Sequence, residues 1–179
     1  NADLAPKATA ERTLSGVAPF VAGTVVPRLT LDIDGDIAES SSKNDGEANN
    51  VAFGAPIEIL AANLVAANVT APTTIFTTQS TTISFATSNT GAGDSIGPSF
   101  TDRVFLSLDT TLDASDTLLG SVVRTNATLA SGASLAGSVN FTLPESTASG
   151  TYSILIAVDA TSARFESNDA DNTLIAGSV

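Results

Sequence analysis

Three aspartates punctuate the stretch FLSLDTTLDASDTLLG: Asp109, Asp113 and Asp116. Hard oxygen ligands converging from one loop between two apolar runs are what calcium takes, so this loop is a calcium candidate. The alternative that the same pattern leaves open is a polar hairpin connection in which each Asp caps its own turn. A second acidic group lies near the end of the chain, with Asp159, Glu166, Asn168, Asp169, Asp171 and Asn172. A cation held there by Asp159, Glu166, Asp169 and Asp171 would stiffen a joint, while Glu and Asn side chains at such a place also tie down the backbone of a closing hairpin. A third run, LTLDIDGDIAES from Leu29 to Ser40, looks like the start of a helix-loop-helix calcium loop. That loop needs Gly at its sixth and Glu at its twelfth position. Counted from Asp32, those positions are Ile37 and Lys43, and the motif is excluded.

Other chemistries have little to work with. The chain has no His and no Cys, so the common general bases, thiolate nucleophiles and soft metal sites are missing. Catalysis by paired carboxylates would need a cleft with one raised pKa, which a small sandwich rarely offers, so no enzyme activity is expected. An internal isopeptide cross-link needs a lysine, and residues 44–179 contain none. Nineteen acids against seven bases give a net charge of -12, with no basic cluster anywhere. Nucleic acid and anionic membrane surfaces are therefore poor partners, since both are held by neutralising phosphate. No apolar run approaches the ~18 residues that span a bilayer. No basic-then-apolar signal segment opens the chain, and a start at Asn1 reads as a processed or excised piece. Without cysteine the fold is independent of redox compartment and suits an extracellular location. Sequons at Asn68, Asn126 and Asn140 permit a glycan, Asn140 being the least accessible because it falls within an expected strand.

The elements that must position these residues are strands. Ile83 and Phe85 alternate with Thr82, Ser84 and Ala86; Val104, Leu106 and Leu108 alternate with Arg103, Phe105 and Ser107. Val139, Phe141 and Leu143 repeat the pattern, and Tyr152, Ile154, Ile156 and Val158 form the longest period-two run. Between them lie NTGAGDS at 89–95, SGAS at 131–134 and PESTASG at 144–150, which supply turn residues. About seven such strands predict an all-β fold, an immunoglobulin-like antiparallel two-sheet β-sandwich. Residues 56–69, PIEILAANLVAANV, fit a linker and first strand, although their alanines also suit a helix.

The chain also repeats itself. GTVVPRLTLD at 23–32 matches GTYSILIAVD at 150–159 at an offset of 127. The same offset carries Glu39-Ser40 onto Glu166-Ser167, and after a five-residue excess Asn49-Asn50 falls opposite Asp171-Asn172. Residues 60–179 then form one complete unit, and 1–59 the closing strands of a preceding unit or a segment donated to another copy. Within LTLDIDGDIAES this reading expects Leu29, Leu31 and Ile33 on one face, a turn at Asp34-Gly35 and a return from Ile37.

NLVAANVTAP at 63–72, SNTGAGDS at 88–95, VFLSLD at 104–109, Asp116 with LLG, SGAS, and GTYSILIAVD followed by FESNDADN together resemble the CARDB domain, the cell adhesion related domain found in bacteria. The closing pattern is the most distinctive part, an Asp ending a strand, then Glu-Ser, then paired Asn, with Asp171 here replacing the first Asn. The resemblance implies an immunoglobulin-like building block of secreted or surface-anchored prokaryotic proteins, used for binding, spacing or assembly without catalysis. Expected partners are neighbouring repeats or copies of itself, through strand or end-to-end contacts. A calcium- or carbohydrate-binding accessory domain of a larger secreted enzyme is the second expectation.

Overall fold

The computed structural model describes residues 9, 11, 13–15, 22–32 and 50–179. The turn expected at Asp34-Gly35, the return at Ile37 and the Glu39-Ser40 pair lie outside the described residues.

Seven strands build the sandwich: β5 (Leu64–Thr70), β6 (Ser80–Asn89), β7 (Phe100–Ser107), β8 (Thr117–Arg124), β9 (Ser134–Thr142), β10 (Ser153–Ala157) and β11 (Thr173–Ser178). One sheet runs β5-β6-β9 and the other β11-β10-β7-β8, with every pairing antiparallel. Period two decides which side chains meet between the sheets. Ile83 and Phe85 of β6 and Val139 and Phe141 of β9 face Val104, Leu106, Ile154 and Ile156 of the other sheet, and all are buried. A second cluster of Leu64, Phe100, Leu129 and Val158 continues the core toward one end. No described residue is helical, and 56–69 divide into β4 (Ile57–Ile59), a short linker and β5. The alanines of this stretch take β structure because each strand finds a partner, which overrides their propensity.

Upstream of the sandwich, β1 (Gly23–Val25) pairs with β4, and β2 (Arg28–Thr30) pairs with β3 (Val51–Phe53). Together they form an antiparallel ribbon of two paired segments. Leu29, Leu31, Phe53 and Ile57 on this ribbon are exposed.

The antiparallel order puts all connections at two poles. At the junction pole, where the ribbon joins, lie residues 60–63, 90–99, 125–133 and 158–172. At the far pole lie residues 71–79, 108–116 and 143–152. The far pole is fastened by Tyr152, whose hydroxyl donates to Ala148 O (2.9 Å) across the corner before β10. Its backbone exchanges two hydrogen bonds with Val179, at 3.0 and 2.9 Å. This is the tyrosine corner of immunoglobulin-like sandwiches. Tyr152→Phe should lower unfolding free energy by about 1 kcal/mol, the net value of one hydrogen bond, with the urea m-value unchanged.

Candidate functional site

The sandwich concentrates its buried polar groups at the junction pole. The chain passes from the ribbon into β5 through Leu60–Asn63, and the β6–β7 loop lies directly against it. A Cβ on Gly91 would come 2.4 Å from Ala62 C, and one on Gly93 2.7 Å from Leu60 O. These two glycines are needed for close backbone approach, where the sequence showed only turn residues. Asn89 organises the same loop: Oδ1 accepts from Asn63 N (3.0 Å) and Gly91 N (3.1 Å), and Nδ2 donates to Gly93 O (2.8 Å) and Leu129 O (2.9 Å). Asn89 is 1% exposed, and all four hydrogen-bonding sites of its amide are used.

Glu166 closes the passage from the other side. Its Oε2 accepts from Leu64 N, and its Oε1 from Asn172 Nδ2 at 3.2 Å. Beside it Ala62 and Glu166 form a parallel bridge, Ser167 N donates to Ala62 O (2.8 Å), and Asn63 Nδ2 donates to Asp171 Oδ2 (3.0 Å). The first strand is thus fastened to the loop before the last strand through both side chain and backbone.

Deeper in, Asp102 of β7 is fully buried. Its Oδ2 takes Arg124 Nε (2.8 Å) and Thr87 Oγ1 (2.6 Å), and its Oδ1 takes Asp159 N (3.1 Å). Arg124 ends β8 and reaches across the gap between the sheets to β9, donating to Ala136 O (2.7 Å) and Leu135 O (3.3 Å). Asp159, at a positive φ of 39°, turns its own carboxylate onto Ala163 N (3.0 Å) and Arg164 N (2.8 Å). Arg164 lies over the Phe100 ring, 5.0 Å from its centroid, and donates to Ala127 O (2.6 Å).

Burial sets the titration of this region. It pushes Glu166 up from 4.5 to about 7, against the lowering effect of the Leu64 and Asn172 hydrogen bonds, with Asp159 and Asp169 adding like-charge repulsion. Burial likewise raises Asp159, opposed by the Ala163 and Arg164 amides. It lowers Arg164, which the Asp159 charge partly offsets.

The acids expected to hold calcium are placed as follows. Asp109 Oδ1 accepts Thr111 N (2.7 Å), Asp113 Oδ1 accepts Ser115 N (2.7 Å) and Oγ (2.6 Å), and Asp116 Oδ2 accepts Asp113 N (2.9 Å). The Ser115 bonds hold Asp113 below the usual carboxylate range. Each of the three caps a turn of its own loop. In the second group Asp159 and Glu166 are buried and bonded to backbone, Asp169 is exposed, and Asp171 bonds Asn63. Among the described residues no three acidic side chains converge on a point that could hold a metal ion. Asn140, the sequon expected to be hidden, is exposed on the sheet surface, its Nδ2 donating to Thr82 Oγ1 (2.8 Å). Asn68 and Asn126 are exposed as well. Missed at the sequence level were Asp102, Arg124, Thr87 and Asn89. The one available signal was a charged or amide residue interrupting the apolar face of a strand.

Strand order, the inter-sheet core and the tyrosine corner define an immunoglobulin-like sandwich of seven strands. The CARDB family matches residues 61–176, and the chain belongs to it. Among solved structures it is similar to the CARDB domain of a Pyrococcus furiosus protein crystallised in complex with di-metal ions. The two share 18% identity and a TM-score of 0.48 over 65% of this chain and 91% of that one. It is also similar to the 272–376 domain of a candidate cell surface protein of Methanosarcina acetivorans, with 23% identity and a TM-score of 0.47 over 66% of this chain and 90% of that one. No curated protein matches.

Two outcomes follow from this geometry. Asp102→Ala strands the Arg124 guanidinium in the interior and should cost about 3–5 kcal/mol in urea unfolding. For Glu166 the folded pKa of about 7 lies above the unfolded 4.5, so the folded state binds the proton more tightly. Its contribution is full below pH 4.5 and is lost as pH rises to 7, a fall of about 3 kcal/mol. Glu166→Gln should remove this slope from a stability-versus-pH series.

Proposed function

We propose that this chain is a non-catalytic structural module of an extracellular prokaryotic surface protein, working as one unit in a series of like units. The observation that carries the reading is a repeated hairpin signature. Leu31 N donates to Asn50 O (2.8 Å) in the ribbon, and Val158 N donates to Asn172 O (2.9 Å) in the sandwich. Asp32 and Asp159 follow these donors with positive φ of 43° and 39°. The pairs are related by the sequence offset of 127 and its five-residue correction. This supports residues 1–59 as the closing strands of a preceding unit and 60–179 as a complete one.

The chemistry of the junction pole agrees with a spacer. Its buried polar groups bond backbone amides and carbonyls of neighbouring segments, an arrangement that fixes how one segment leaves another. Surface association is supported by membership of the CARDB family.

Antibody raised against the sandwich should label intact cells that make the parent protein, without permeabilisation; labelling confined to lysed cells would overturn the reading. The same reading makes calcium dispensable. Melts in calcium and in chelator should share a midpoint, whereas a calcium-dependent rise abolished by Asp113→Ala would replace the spacer with a cation-binding module.

A further inference from the structure

Three exposed sequons lie on the sandwich, and the fold treats their asparagines differently. Asn140 is held at both ends of its amide, Nδ2 donating to Thr82 Oγ1 at 2.8 Å and Oδ1 accepting from Ser80 Oγ at 3.0 Å. Its backbone lies inside the β6–β9 ladder, opposite Thr82. Asn126 exchanges two bonds with Ser99, its N donating to Oγ at 3.1 Å and its Oδ1 accepting from Oγ at 3.3 Å. The next carbonyl, Ala127 O, accepts from the buried Arg164 at 2.6 Å.

Asn68 has no such ties. It is exposed at a positive φ of 50°, and its side chain bonds no other described residue. β5 is an edge strand of its sheet, and its pairing with β6 jumps from Ala67 opposite Ala86 to Thr70 opposite Ser84. Asn68 and Val69 therefore stand outside the ladder in a bulge, with Val69 packed on the core and Asn68 turned to solvent. Thr70, the third residue of the sequon, is exposed as well.

The surface beside Asn68 suits a sugar. A groove of about 530 Å³ opens there between Ser84, Ala86, Ala136, Gly137 and Ser138. The small residues leave room, and the serine hydroxyls both donate and accept, as sugar hydroxyls do. No Lys, Arg, Asp or Glu occurs in β5, β6 or β9. The neutral sheet thus lacks the charged side chains that commonly keep an edge strand from pairing with another chain, and a bulky solvated group on the bulge serves the same end.

We infer that Asn68 is the N-glycosylation site of the sandwich, while Asn126 and Asn140 stay unmodified. The donor is an oligosaccharide carried on a lipid-linked diphosphate. Asn68 Nδ2 bonds to the anomeric carbon, the bond from that carbon to the diphosphate oxygen breaks, and the amide proton goes to a basic group of the transferase. The inference rests on the reading that the chain is exported, because this modification belongs to secreted proteins.

The positions of the basic residues separate the sites for a mass measurement. Digestion of the denatured chain after Lys and Arg gives one peptide, 44–103, carrying Asn68 and another, 125–164, carrying Asn126 and Asn140. In protein taken from the cells that make it, glycan mass should sit on 44–103 and be absent from 125–164. Thr70→Val keeps Asn68 and removes the sequon hydroxyl. It should abolish the modification and leave the melting midpoint of the unglycosylated recombinant chain unchanged. A bare 44–103 peptide, glycan on 125–164, or a glycan that survives Thr70→Val overturns the assignment. If antibody labels the surface of the same intact cells, that result leaves the exported module standing; if it does not, both readings fall.

Discussion

The carboxylate of Asp102 is the point on which the two sheets agree. It lies on β7, yet it holds Thr87 of the opposite sheet, Arg124 at the end of β8 and the backbone of Asp159 after β10. Through Arg124 the hold extends to the carbonyls of β9. Apolar packing is non-directional, so the aliphatic core between the sheets tolerates small slips. A charge in the interior does not, because misplacing it leaves an ion without its partner. Asp102 thereby fixes the register of β7 against β8 and the angle at which the Asp159–Arg164 loop departs. That loop carries Glu166 to Leu64, so the junction to the ribbon inherits its geometry from the same carboxylate.

Where a strand has one face in the core, the sequence announces it by alternation, and β6, β7 and β9 were legible for that reason, while β10 is buried on both faces and stood out by its apolar run. β8 and β11 lack it: TLLGSVVR places Leu118-Leu119 and Val122-Val123 in tandem, and a bulge between Val104 and Phe105 shifts its pairing register. The proposed repeat rests on turn chemistry at a strand end, which is local: an Asp in positive φ and a paired Asn.

The acids were harder to read. Their types and spacing are equally compatible with a cation and with a backbone amide, and only the fold decides which lies within reach. Glu166 meets Leu64, 102 residues away in sequence, a distance no local pattern encodes. The glycines of NTGAGDS likewise looked like turn formers, and their reason became visible only once Leu60–Ala62 were seen pressed against them.

The burial of two arginines has a further consequence for how the sandwich meets proteases. From residue 44 onward the chain has no lysine and only Arg103, Arg124 and Arg164. Arg124 and Arg164 are enclosed, and Arg103 lies within a paired strand. Proteases that cut after basic residues need an extended, accessible segment around the bond. The folded sandwich offers them none. With Cys, Met, Trp and His also absent, the side chains most readily attacked by oxidants are missing too. What holds the sheets together therefore also withdraws the sandwich from digestion, and persistence is built into the same residues as shape.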